Sequence, residues 1–247
     1  MVEGAAPLVD ASPADSVAPD GSPQASRYRD AVLADAPVVY LRLGELSGTV
    51  AKAAAGPDGV YSVSGIALGE PGALGGDLDR AAPLTDGSGR LTVGEAAAFE
   101  GKVPSSIEIW VKAAPTDAGL GFLMDHTRYE GSRDGWVLRS NDDVVAIERW
   151  SAGESRSVIA PAVSKGEWHH LVVTYDGLNQ RIYVDSVKRG EGGGDLPIPS
   201  RESTLTIGHQ SCSCGGSNSF VGSIDEVAIY DKVLTDARVA AHWAAAK

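Results

Sequence analysis

One stretch limits what this chain can fold into more than any other. It reads Trp168-His-His-Leu-Val-Val-Thr-Tyr-Asp176, then Gly177-Leu-Asn-Gln180, then Arg181-Ile-Tyr-Val-Asp185. Leu171, Val173 and Tyr175 alternate onto one face, and Val172 and Thr174 fall on the other. The first strand is therefore expected to be covered on both sides. Asp176-Gly177 supplies the turn, because glycine accepts positive φ without a steric penalty. Ile182 and Val184 then alternate with Arg181, Tyr183 and Asp185, which marks a half-buried partner strand.

Further short apolar pieces lie between glycine and proline signals. Val38–Leu43, Ser106–Lys112, Gly121–Met124, Trp136–Leu138, Val144–Ile147, Ser157–Ile159, Thr204–Ile207 and Phe220–Tyr230 all read as strands. In Ser106–Lys112, Ile107, Ile109 and Val111 point one way, and Glu108, Trp110 and Lys112 the other. Residues 125–135 and 209–219 read as polar loops. Of the 247 residues 30 are glycine, or about 12% against a usual ~7%, which suits many tight turns. Roughly a dozen strands with regular turn signals predict an all-β fold, an antiparallel jelly-roll β-sandwich. Thr235 is placed to cap a short C-terminal helix, Asp236 to Ala245, packed through Val239 and Trp243. Tyr28–Asp35 is expected to form a helical turn before Pro37.

Residues 1–26 differ from the rest. They contain Pro7, Pro13, Pro19 and Pro23, no aromatic and no basic residue, and carry −4 of the chain's net −12. Such a segment cannot offset its own ordering entropy. It reads as an extended N-terminal arm on a domain spanning 27–247, docked in an assembly on a neighbouring subunit with a neutral or basic groove. A homo-oligomer is expected. The net charge, with no basic patch, speaks against nucleic acid and against an anionic membrane surface as partners. No apolar run reaches ~18 residues, so no membrane span is expected. Met1-Val-Glu-Gly does not read as a secretory signal. Cys212 and Cys214 are too close together to bridge without strain, so stability is not expected from a disulfide framework.

At this point the residues resemble a family. Val39-Tyr-Leu-Arg-Leu-Gly-Glu45, Leu84-Thr-Asp-Gly-Ser88 with Arg90-Leu-Thr-Val93, the Ser106–Lys112 strand and Trp168–Gly177 occur in the order of a laminin-G-like jelly roll. That is a fold of the concanavalin A-like lectin and glucanase superfamily. Gly222–Tyr230 and the helix after Leu234 close the match. The opening Tyr28–Pro37 also resembles tail and surface proteins of phages infecting actinobacteria. The resemblance implies a fold that hosts many functions, so function has to come from sites.

Related glycoside hydrolases on this fold carry two carboxylates in alternation on one strand. Here Ile107-Glu-Ile-Trp-Val-Lys112 has only Glu108, and no Ser–His–Asp arrangement has motif support. A non-enzymatic protein is expected. The aspartate matching Asp225 often helps to hold a structural Ca²⁺ in related jelly rolls, with Glu45 and Asp77 as further oxygen donors; the alternative is a carboxylate satisfied by backbone N–H groups or an arginine. His209, Cys212 and Cys214 fall one short of a closed zinc site. His169 and His170 are expected one exposed, one hydrogen-bonded.

Trp168 and Trp243 read as core. Tyr129 and Trp150, beside loops, are the candidates for stacking on a sugar, with Arg128, Arg133 and Asp134 as polar contacts. A glycan site is expected in 125–135, 149–155 or 209–219. Two settings fit: a phage virion protein, in the decoration or minor tail class, presenting a carbohydrate-binding-type jelly roll, or an extracellular bacterial lectin-like module.

Overall fold

The computed structural model describes residues 23–75, 80–94, 99–117, 119–200, 203–211 and 218–247. The first helix is α1 (Pro23–Ala34). The strands before the middle of the chain are β1 (Val39–Leu41), β2 (Val50–Ala51), β3 (Ala53–Ala55), β4 (Gly59–Tyr61), β5 (Glu70–Pro71), β6 (Arg80–Leu84), β7 (Leu91–Thr92) and β8 (Ser105–Ala113). Then come β9 (Gly121–Tyr129), β10 (Arg133–Ser140), β11 (Val144–Ser151), β12 (Glu154–Pro161), β13 (His169–Tyr175), β14 (Asn179–Val184), β15 (Val187–Gly193), β16 (Thr206–Ile207), β17 (Gly222–Tyr230) and α2 (Asp236–Ala245).

The described strands make two antiparallel sheets. One runs β15-β14-β13-β8-β17-β1-β3, with β6 also on β17 and β5 on β6; the other runs β12-β11-β10-β9-β16-β7-β4-β2. Ile107, Ile109 and Val111 face Leu138, Val145 and Ile147 of the second sheet in the main core, as the alternation requires. The central hairpin forms as expected: Val173 pairs with Ile182, and Gly177 turns at φ +97°. Helix α2 has its expected bounds, and the Thr235 side chain accepts a hydrogen bond from the Arg238 N–H.

Several expectations need correction. The N-terminal element is a twelve-residue helix beginning at Pro23, where a missing N–H loses no partner. Residues 23–26, read as the end of the arm, belong to it; residues 1–22 lie outside the described residues. The helix stops at Ala36, which takes the left-handed φ of +44° just ahead of Pro37. Most of the 125–135 loop is strand, leaving 130–132 as the turn between β9 and β10. Strand β15 has no apolar alternation and is largely exposed; it exists through its ladder with β14. Trp110 and Trp136 are buried, whereas Trp168 and Trp243 are only half-buried and pack beside the second cluster. No helix among the described residues is long and apolar enough to cross a membrane.

The outer face of the nine-stranded sheet is not wet. Helices α1 and α2 cover it, and Tyr28, Val32, Trp110, Val172, Tyr230 and Val239 form a second core there. Glu108 sits under that cover with 0% exposure. A carboxylate there must be fully satisfied, and four donors supply it. Its Oε1 accepts from Tyr28 Oη at 2.8 Å and His170 Nε2 at 2.7 Å, and its Oε2 accepts from Tyr230 Oη at 2.6 Å and His242 Nδ1 at 3.0 Å. On its far side His242 Nε2 reaches Asp35 Oδ2 at 2.9 Å, and Arg238 Nε reaches the same oxygen at 2.7 Å. One acid from the sheet thus ties both helices down. A second buried acid, Glu226, stands on a β-bulge of β17 at φ +49° and takes Tyr40 Oη and Arg42. Both adjacent histidines are hydrogen-bonded: His170 to Glu108, and His169 to Asp185 at 2.8 Å.

This network gives stability a pH optimum. Burial pushes the Glu108 carboxyl up, but His242 and the His170 hydrogen bond outweigh it and hold the group well below its ordinary range. Burial lowers His242, but Glu108 and Asp35 outweigh it and hold the imidazolium above its ordinary value. A depressed acid stabilises above its unfolded pKa of about 4.3, and that contribution is lost as pH falls through the folded value. A raised histidine stabilises below its unfolded pKa of about 6.5, and that contribution is lost as pH rises through the folded value. The paired state is therefore expected to stabilise most between about pH 4.5 and 6.5. Melting curves across pH should show an alkaline limb above that window that His242→Gln flattens. An unchanged limb in the variant would remove His242 from the account.

Candidate functional site

Strands β9, β10 and β11 lie side by side, and their ladders fix which side chains share the outer face of the eight-stranded sheet. Trp136, Leu138 and Ile147 point into the core. Their neighbours point out. Tyr129 pairs with Arg133 and Phe122 with Arg139; Gly135 pairs with Trp150 and Val137 with Glu148. Two of the sequence candidates, Arg133 and Trp150, meet directly. The Arg133 guanidinium carbon is 5.0 Å from the Trp150 ring centroid and 5.3 Å from that of Phe122, a cation held between two π faces. Gly135 makes this possible. At φ +116° a Cβ there would meet the His126 carbonyl oxygen at 2.1 Å, so the position opposite Trp150 stays free of side chain.

Polar groups frame the aromatics. Trp150 Nε1 donates to Glu148 Oε2 at 3.0 Å, and Glu148 Oε1 accepts from Arg139. Asp125, fully buried, accepts from the N–H of Thr127 at 2.9 Å and of Ser211 at 2.8 Å; burial pushes its carboxyl up. Tyr129 stands 53% exposed at the end of β9. The three expected loop regions converge here. The β11–β12 turn joins the β9–β10 end through Gly153 N–H to the Arg133 carbonyl at 3.1 Å. Ser211 Oγ joins from the third region by donating to the Thr127 carbonyl at 2.7 Å.

Not every candidate belongs. Asp134 pairs with Arg128 across the ladder, and both alternate to the side of His126 and Trp136. Asp134 is buried and accepts from the Ala152 N–H at 2.6 Å, fixing the β11–β12 turn, and Arg128 is paired with Glu130. The residues that sequence reasoning missed are Phe122, Arg139 and Glu148. Their signal was parity with Trp150, available once β11 is extended to Ser151.

Asp225 and Glu45, two of the calcium donors implied by the resemblance, both accept hydrogen bonds from the chain. Asp225 accepts from the Ala73 N–H at 2.7 Å and the Glu226 N–H at 3.0 Å. Glu45 accepts from the Lys52 N–H at 2.7 Å and Tyr61 Oη at 2.7 Å. Among the described residues no three His, Cys, Asp or Glu side chains could hold a metal ion together. Asp77, Cys212 and Cys214 lie outside the described residues. His209 Nδ1 is 2.9 Å from the Gln210 carbonyl.

Two other places invite comparison. A cleft of about 410 Å³ is walled by Glu70, Lys112, Thr116 and Ser223. No aromatic ring lines it, and a sugar gains most from such a platform. Ser164 Oγ is 2.7 Å from His169 Nε2, and His169 Nδ1 is 2.8 Å from Asp185 Oδ2, the spacing of a nucleophile, base and acid. The Ser164 hydroxyl, however, donates to Glu167 Oε2 at 2.9 Å.

Known proteins share this architecture. The binding domain of botulinum neurotoxin serotype D superposes with a TM-score of 0.65 at 12% identity, over 87% of this chain and 52% of that one. Domain 4 of AbnA, an extracellular arabinanase from Geobacillus stearothermophilus solved in complex with arabinotriose, superposes at 0.61 and 17% identity, over 83% of this chain and 96% of that one. These likenesses speak to fold. In sequence, the sushi, von Willebrand factor type A, EGF and pentraxin domain-containing protein 1 of Mus musculus is 31% identical over 146 residues. Its counterpart in Rattus norvegicus is also 31% identical over 146 residues. The match covers 53% of this chain and 4% of each relative. The model of the concanavalin A-like lectin/glucanases superfamily matches residues 85–240. With the two-sheet sandwich, this match over more than half of its length means that the chain belongs to the concanavalin A-like lectin/glucanases superfamily.

Proposed function

We propose that the chain is a non-catalytic glycan-binding module whose site is the outer face of the eight-stranded sheet around Trp150, Arg133 and Tyr129. The observation that carries this reading is the aromatic and guanidinium cluster on that face, beside the exposed Tyr129. Aromatic faces take the C–H side of a pyranose, and nearby guanidinium, carboxylate and hydroxyl groups take its hydroxyls. Tyr129 and Trp150 stand two strands apart on the same face, a span that suits more than one sugar ring. The superposition on an arabinanase domain in complex with arabinotriose supports the same class of ligand. A glycan array probed with the intact chain tests it. Retention on at least one glycan series is expected; an array with no retained glycan would sink the reading.

The setting we infer is the surface of a phage virion, where residues 1–22, the part of the arm ahead of helix α1, dock on a neighbouring subunit of a homo-oligomer or particle. The likeness of Tyr28–Pro37 to actinobacteriophage tail and surface proteins supports this, as does the composition of the arm. Helix α1 starts at Pro23 and delivers Tyr28 to the buried network, so a clean deletion removes residues 1–22. The shortened chain keeps every buried contact among the described residues, so it should melt within about 2 °C of the full one, and it should fail to assemble in analytical ultracentrifugation or on particles. Full assembly without the arm would contradict this setting.

A further inference from the structure

We infer that the glycan taken by this face is acidic, with its carboxylate on Arg133; this rests on the reading of the face as a glycan site. The charges on that face are unequally partnered. Glu148 is already occupied by Arg139 and by the Trp150 indole N–H. Asp125 is occupied by two backbone N–H groups, and burial favours its neutral form. Arg139 has its ion pair with Glu148. Arg133 makes no ion pair among the described residues, although its charge works against the effect of burial on Asp125. Among the described residues its Nε and Nη2 reach only the Thr127 hydroxyl, both at 3.4 Å, the long limit of a hydrogen bond.

Phe122 and Trp150 hold the guanidinium in place, so its planar fork loses little freedom when a partner arrives. A carboxylate meets such a fork with two parallel N–H···O bonds, which a sugar hydroxyl cannot do. Tyr129, one strand spacing away on the same face, is placed to take the ring that bears the carboxylate. The net charge of −12 sharpens the inference. A chain so acidic repels polyanions at long range, so retention of an acidic glycan must come from a local site.

The test is affinity electrophoresis of the full chain in gels containing polygalacturonate, alginate or hyaluronan, each beside its carboxyl-reduced form, with arabinan and β-glucan as neutral polymers. At least one acidic polymer should retard the chain. Reduction of its carboxyls should weaken retention about ten- to hundred-fold, the loss of one charge-assisted pair. Arg133→Gln should lose the same factor, and Arg133→Lys, which keeps charge without the fork, should fall between. The carboxyl-reduced comparison uses the unaltered protein, so it stands even if the variants fold poorly. Retention by neutral or reduced polymers as strong as by the acids would overturn this inference and leave the glycan reading intact. Retention by no polymer, together with an empty array, would overturn both.

Discussion

Replacing Glu108 by alanine will cost about 3–5 kcal/mol of folding stability, more than most core truncations. The variant leaves Tyr28, Tyr230, His170 and His242 without the acceptor that they share. It also leaves the His242 charge facing Asp35 alone from a fully buried position. Removing one member of a buried ion pair is expensive because the other stays desolvated. By comparison Ile109→Ala on the opposite side of the same strand should cost about 2–4 kcal/mol, through lost burial and a cavity. Urea denaturation of both variants decides it. A Glu108→Ala loss under about 1 kcal/mol, the range of solvent-exposed pairs, would mean that the helices do not cover that face.

The second large effect is on binding. Tyr129→Ala combined with Trp150→Ala should weaken glycan affinity roughly a thousand-fold, taking about 2 kcal/mol for each aromatic contact at the centre of a site. The fold should persist. Tyr129 is more than half exposed, and Trp150 loses one hydrogen bond to Glu148 and its contact with Arg133, which should lower the melting midpoint by a few degrees at most. Isothermal titration with the glycan retained on the array measures the affinity, and circular dichroism reports the fold. Undiminished affinity in the double variant would place the ligand elsewhere, with the cleft walled by Lys112 and Glu70 the next candidate.

The two effects fall on opposite outer faces of one sandwich, and the sequence treated them unequally. Alternation placed Ile107, Ile109 and Val111 in the core and Glu108, Trp110 and Lys112 on the other side, and the register agrees. Alternation states a side, not what covers it. The cover comes from Tyr28 and His242, 80 and 134 positions away in sequence, so no local pattern around Glu108 announces it. Parity alone left open whether that side is wet or covered. Helix α1 was read as a single turn because its apolar stripe is thin: Tyr28 and Val32 are its fully buried residues among those described. The rest of its inner face is held by Asp35 and the Ala31 carbonyl, which bond to Arg238 and His242.

On the binding side, Tyr129, Arg133 and Trp150 were legible as aromatic and cationic residues beside turns. Arg128 and Asp134 were grouped with them, but each adjoins a residue of that face and alternates to the other side. Once 125–135 is strand rather than loop, immediate neighbours must point to opposite sides. The same parity rule would have brought in Glu148, two residues before Trp150.

The most direct measurement uses the indole N–H signals of the five tryptophans in a two-dimensional ¹H–¹⁵N spectrum, assigned by single substitutions and titrated with the oligosaccharide that the array selects. The account predicts a large shift of the Trp150 signal with saturation, and little change at Trp110 and Trp136, which are buried. A shift at Trp168, beside Lys112, with Trp150 unmoved would contradict it.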